Sequence, residues 1–217
     1  MRLEEVRLYV LLTEGIAAVP IVEAARAAIR GGADALQLRL KNCPDREVLA
    51  IARDLRRLTR DQGIFFVVND RPDIAILAAA DAVHVGQDDL PAAAVRALAP
   101  AGMRVGVSTH SLEQAREAIA AGADHVGVGP IYATETRGYA AGKGLGLLRA
   151  VAAEVRVPII AIGGITTANA AAARAAGAGA VAVCRAVLAA PDIEAATRQI
   201  KEALAHHEEH EAHEERR

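Results

Sequence analysis

Gln37-Leu38-Arg39-Leu40-Lys41 places an amide and two cations at every second position, with leucines between them. An extended strand would put Gln37, Arg39 and Lys41 on one face and Leu36, Leu38 and Leu40 on the other, because strand side chains alternate. Two cations on an enclosed face are costly without a counter-charge, which a phosphate or carboxylate ligand would supply. A solvated edge strand is the plainer reading of the same pattern. Two further polar groups bear on the choice: Asn69-Asp70 follows the apolar residues 64–68, and Gln87-Asp88-Asp89 follows residues 82–86. Taken singly, such residues make turns and helix caps, or simply neutralise neighbouring cations. Together they match the way Mg2+ is held, by one or two carboxylates with waters and substrate phosphates completing the shell. Asp70 and Asp89 are the expected metal ligands, Arg39 and Lys41 the expected grip on phosphate oxygens, and a Mg2+-bound diphosphate the best-fitting ligand.

The elements that must carry these residues recur. An alanine-rich helical run, a small residue and often an Asp precede a short β-prone stretch: Gly32-Ala33-Asp34, Ala80-Asp81, Gly122-Ala123-Asp124 and, more weakly, Gly177-Ala178-Gly179. Pattern reading predicts strands at residues 7–12, 35–40, 64–68, 82–85, 104–107, 125–128, 158–162 and 180–183. Helical segments fill the gaps, including residues 21–30, 45–59 and 112–121, with a last helix over 193–205. Strict alternation implies parallel strands with crossovers, and eight such units close into a TIM (β/α)8 barrel, an α/β fold of one domain over residues 1–205. An open doubly wound sheet is the rival, but no G-x-G-x-x-G turn follows the first strand and polar residues end nearly every strand.

A barrel's active site lies at the C-terminal ends of its strands, so those ends can be compared. Strand seven runs into Gly163-Gly164 and strand eight into Cys184-Arg185 before a short helix, the usual place for a backbone-amide phosphate cradle. Gly-Gly also makes a tight turn. After strand five, Ser108 has a hydroxyl to donate, His110 could shuttle protons, and Ser111 is the expected cap of the helix starting at Leu112. Residues 129–144 are long for a βα loop and rich in hydroxyl, glycine and basic residues, the profile of a lid or of a disordered insertion. Two anion sites on one rim, only one with carboxylates, suggest two substrates being joined: a diphosphate leaves and a monophosphate stays.

The composition excludes several other functions. A net charge of -2 and a pI near 6.4 give no nucleic-acid footprint, and with 2% aromatic residues there is little material for base stacking. No apolar run is long enough to span a bilayer, and the N-terminal residues are too acidic for a secretory signal, so a cytoplasmic location is expected. Cys43 and Cys184 lack metal-ligand spacing and read as free thiols. The His- and Glu-rich residues 206–217 read as a solvated tail rather than a metal site.

The ordered set Gln37–Lys41, Asn69-Asp70, His84–Asp89, Gly106–His110, Gly129–Thr136 and Gly163–Ile165 resembles the thiamine-phosphate synthase family. The likeness runs from about Leu8 to Ala205. It implies a TIM barrel that joins 4-amino-2-methyl-5-pyrimidinylmethyl diphosphate to 4-methyl-5-(2-phosphoethyl)thiazole with Mg2+. It further implies Gln37, Arg39, Lys41, Asn69 and Ser108 for the pyrimidine diphosphate, and Asp70 and Asp89 for the metal. For the thiazole phosphate it implies Thr134, Thr136, Gly164 and the backbone at Cys184-Arg185. Arg137 stands where the family usually carries Lys and keeps a cation for diphosphate; Arg185 stands where it usually carries Ser. The alternatives are a thiazole tautomerase of the same superfamily, in which His110 would be catalytic, and a non-catalytic paralogue that binds phosphate ligands. Two phosphorylated small molecules are the expected partners, without nucleic acid or membrane, and homo-oligomerisation is left open.

Overall fold

The structure, a computed structural model, describes residues 2–134 and 141–214, with side chains to residue 205. Eight strands pair in parallel and in sequence order into a closed barrel: β1 Leu8–Thr13, β2 Ala35–Arg39, β3 Phe65–Asn69, β4 Ala82–Val85, β5 Arg104–Thr109, β6 His125–Val128, β7 Ile159–Ile162 and β8 Ala180–Val183. The expected fold is therefore the observed one.

Alternation along each strand separates two cores. Leu36 and Leu38 of β2 point outward into the larger apolar layer shared with the helices, where burying a leucine contributes about 1.5–3 kcal/mol. The inward positions fill a smaller core that includes Tyr9, Ala35, Phe65, Val67 and Ala182, with Leu3 and Val6 packed against it from the chain preceding β1. Gln37 and Arg39 thus face the barrel interior. β2 stops at Arg39, so Lys41 is not part of the alternation predicted for it. It lies in the loop beyond the strand. β5 reaches Thr109, two residues past its expected end, which puts Ser108 within the strand.

The helices in the gaps are α1 Ile21–Arg30, α2 Asp45–Gln62, α3 Pro72–Leu77, α4 Ala92–Leu98, α5 Leu112–Ala120, α6 Gly144–Glu154, α7 Ala170–Ala175, α8 Arg185–Leu188 and α9 Ile193–Glu214. α2 outruns its predicted end and stops at Gly63, whose φ of 68° suits a left-handed cap. Ser111 Oγ accepts from the Gln114 amide at 3.2 Å and caps α5 as expected. α9 also runs past the end predicted near Ala205.

The recurring Asp has a structural job at the foot of the barrel. Asp34 Oδ2 accepts from the amides of Arg7 and Leu8 at 2.9 Å each, Asp81 Oδ2 from Phe66 at 2.8 Å, and Asp124 Oδ2 from Val105 at 2.7 Å. Each carboxylate thereby clamps an even-numbered strand to the odd-numbered strand before it. Each also meets a cation: Lys201, Arg56, and the pair Arg96 and Arg104, respectively. In the fourth copy Gly179 carries no carboxylate, and Arg174 donates instead to the carbonyls of Ala178 and Gly179.

Candidate active site

The C-terminal mouth of the barrel opens into a cavity of about 540 Å³ to which all eight strands, or the residues that follow them, contribute. Of the residues predicted from sequence, Gln37, Arg39, Asn69, Ser108, Thr134, Gly164, Cys184 and Arg185 line it. Arg39 Nε is buried with no hydrogen-bond partner among the described residues. A buried guanidinium N–H left unpaired is costly, and an anion in the cavity would satisfy it. Thr136 and Arg137 lie outside the described residues.

Lys41, Asp70 and Asp89 are not among the residues that line the cavity; they form a charged cluster just beyond Asn69, which does line it. Lys41 Nζ lies 2.8 Å from Asp70 Oδ2. Asp89 Oδ2 accepts from the Gly86 amide at 2.7 Å, a bond that ties the carboxylate to the end of β4. Burial first, and then the hydrogen bond that a protonated Asp89 donates to the neighbouring Asp70 carboxylate, push Asp89 above the usual carboxylate range. Two carboxyls this close need either a shared proton or a cation between them. Asp70 is held in place at a conformational cost: its φ is 62°, the Arg71 amide bonds back to the Asn69 carbonyl at 2.8 Å, and its own amide bonds to the His84 carbonyl at 2.8 Å. A non-glycine residue in this region costs on the order of 1–3 kcal/mol. Among the described residues no group of three or more His, Cys, Asp or Glu converges on one point. Two carboxylates beside an anion-ready cavity fit Mg2+, which draws its remaining ligands from water and phosphate.

Across the mouth, Gly163 and Gly164 have φ of 98° and 65°. A Cβ on Gly163 would meet Pro130 Cα at 2.6 Å, and one on Gly164 would meet the Ala133 carbonyl at 2.5 Å. The pair thus both makes the turn and lets the loop after β7 lie flat against the loop after β6. Cys184 precedes α8, and its carbonyl accepts from the Val187 and Leu188 amides at 3.0 and 2.8 Å. Burial pushes its thiol up to about 11, so it is a neutral wall of the cavity.

Several residues that organise the site were not singled out from sequence. Glu14 Oε1 accepts from the amides of Lys41 and Asn42 at 3.0 and 3.3 Å, fixing the loop that carries Lys41. Gln37 Nε2 donates to the Tyr9 hydroxyl at 3.0 Å. Asn169 Nδ2 donates to the Gly164 carbonyl at 2.9 Å. Below Ser108 lie two buried imidazoles, with His84 Nε2 2.9 Å from Ser108 Oγ and His84 Nδ1 3.3 Å from His125 Nε2. His110 lines the cavity with Nδ1 2.5 Å from the Gly129 carbonyl. A carbonyl only accepts, so the His110 proton sits on Nδ1.

Fold and site together define a (β/α)8 barrel enzyme whose mouth is lined by the cations Arg39 and Arg185. The chain belongs to the thiamine monophosphate synthase family, whose model matches residues 8–187. Over 200 residues it is 46% identical to the thiamine-phosphate synthase of Moorella thermoacetica, covering 91% of this chain and 95% of that one. It is 47% identical to the thiamine-phosphate synthase of Chloroflexus aurantiacus over 90% of this chain and 91% of its relative. Among solved structures, thiamine phosphate pyrophosphorylase from Pyrococcus furiosus superposes with a TM-score of 0.87 at 38% identity, covering 94% of this chain and 98% of that one. Among the described residues no helix is long and apolar enough to cross a membrane.

Proposed function

We propose that this chain condenses 4-amino-2-methyl-5-pyrimidinylmethyl diphosphate with 4-methyl-5-(2-phosphoethyl)thiazole, giving thiamine phosphate and diphosphate. The observation that carries this reading is the pairing of Asp70 with Asp89 beside Lys41, one residue beyond Asn69, which lines the same cavity as Arg39. The methylene–oxygen bond of the pyrimidine substrate breaks, and its electron pair leaves with the diphosphate. The thiazole nitrogen then donates its lone pair to the methylene carbon. That nitrogen has no proton to lose, so the site needs charge stabilisation and alignment more than a general base.

Arg39 and Lys41 grip the departing oxygens. Asn69, Ser108 and Gln37 hold the pyrimidine diphosphate, and the expected contribution of Arg137 is a further cation. Asp70 and Asp89 hold Mg2+, which when bound supplies positive charge to the leaving group. Thr134, Gly164 and the amides at Cys184-Arg185 hold the thiazole phosphate on the opposite wall, and the expected contribution of Thr136 is a further hydroxyl to that phosphate. Tyr9 fixes the Gln37 amide, and Glu14 fixes the Lys41 backbone.

Incubating the protein with both substrates and Mg2+ should release diphosphate and thiamine phosphate in equal amounts. Isomerisation of carboxythiazole phosphate without diphosphate release would replace this reading with the tautomerase. Asp89→Ala should lower Mg2+-dependent turnover by about 10²–10³-fold, the scale of losing one strong stabilising contact, while leaving the far-UV circular dichroism unchanged. Turnover equal to that of the unaltered chain would remove Asp89 from the site.

A further inference from the structure

His84, Gly106 and His125 occupy one level of the barrel on three adjacent strands, since His84 pairs with Gly106 and Gly106 with His125. Both imidazoles are buried. They meet directly over the glycine: a Cβ there would lie 2.1 Å from His125 Nε2 and 2.5 Å from His84 Nδ1. One level higher, Ser108 is opposite Gly127, and a Cβ on Gly127 would come within 3.2 Å of the His84 ring. Two side-chain-free positions thus make room for a continuous chain His125–His84–Ser108 that ends at the cavity wall.

The direction of its hydrogen bonds follows from its inner end. Among the described residues nothing partners His125 Nδ1, and an N–H stranded there would be a buried unsatisfied donor. The proton therefore sits on His125 Nε2 and is donated to His84 Nδ1. His84 then carries its own proton on Nε2 and donates it to Ser108 Oγ. With that lone pair occupied, the Ser108 hydroxyl proton turns outward. The reverse direction would strand the inner N–H and also aim a Ser108 lone pair at an anionic ligand. Burial, and then His84, lower His125 to about 3, which keeps it neutral at working pH.

We propose that His125 and His84 are positioning residues that lock the Ser108 hydroxyl as an outward donor to a phosphorylated ligand. The proposal rests on the reading that Ser108 faces the pyrimidine diphosphate. Its test begins with a measurement that needs no activity. In the ¹⁵N-labelled protein, two-bond proton–nitrogen correlations should show both histidines as Nε2–H tautomers, with and without Mg2+ and inorganic pyrophosphate; an Nδ1–H tautomer at either one overturns the relay. Steady-state kinetics supply the second arm. His125→Leu, which deletes the donor, should lower kcat/KM for the diphosphate substrate about tenfold while leaving KM for the thiazole phosphate unchanged. His125→Gln retains an N–H donor and should recover most of that loss. Equal losses in the two variants would mean a packing role only and would overturn the proposal. A chain that makes no thiamine phosphate yet shows both Nε2–H tautomers would refute the synthase reading while leaving the relay intact.

Discussion

Gly106 is the residue on which the interior of the site depends most directly. Gly106→Ala would force apart two buried rings whose nitrogens lie within van der Waals range of the new methyl. Overpacking of this kind typically costs about 1–3 kcal/mol, to be read as a lower midpoint in urea denaturation. Turnover should fall with it, because Ser108 loses its support; an unchanged midpoint would show that the rings can move aside. At Asp70 the constraint is the backbone. Asn tolerates positive φ and Glu does not, so Asp70→Asn should keep most of the stability while losing Mg2+ dependence, whereas Asp70→Glu should lose both. Comparing the melting temperatures of the two variants checks this. The residues legible in sequence were those whose chemistry is visible in the type alone, such as Arg39, Lys41 and the Asp70–Asp89 pair. Glu14, Asn169 and the histidine pair were not, because each acts through a neighbour that only the closed barrel brings near. A glycine flanked, on the two paired strands, by histidines at the same level would have been the sequence signal for the last.

At the scale of the element, the foot carboxylates hold adjacent strands in register. Asp124 is pushed upward by burial, but the Val105 amide and the guanidinium groups of Arg96 and Arg104 outweigh that and hold it below the usual aspartate range. A carboxylate whose folded value is depressed contributes its stability above its unfolded value, near 3.9, and loses it as pH falls through the lower folded value. Asp124→Asn should therefore cost about 1–3 kcal/mol at neutral pH, with the gap to the unaltered chain closing below about pH 4. Urea midpoints measured at both pH values test the sign. The repeat that contains these residues was plain in the sequence as a helix-to-strand junction. Its second function, gripping the preceding strand, was not, since the amides that the carboxylate accepts from lie on a neighbouring strand that only the pairing register identifies. Strand ends were misplaced for a related reason. Lys41 continues the alternation on paper, but β2 ends at Arg39, where Glu14 takes over the amides that follow.

For the molecule as a whole, closure of the barrel converts eight separate strand ends into one cavity. Alternation, composition and the order of motifs were enough to indicate that architecture. The depth of the mouth and the proximity of Asp70 to Asp89 came only with the register. With just two carboxylates, Mg2+ alone should bind weakly. Mg2+ with inorganic pyrophosphate should raise Tm far more, since at a hundredfold excess over Kd a ligand contributes about 2.7 kcal/mol. For a chain of this size that corresponds to roughly 5–10 °C. Equal shifts with Mg2+ alone would point to a metal site independent of the anion.

The foot clamps also bear on how the barrel is built in time. They join residues 27, 15 and 19 positions apart, so each closes a short loop with a small entropic penalty. Closing β8 onto β1, where the Val181 amide meets the Arg7 carbonyl, must gather almost the entire chain. The clamped pairs should therefore gain protection early in pulse-labelled hydrogen exchange during refolding, and the β8–β1 seam last.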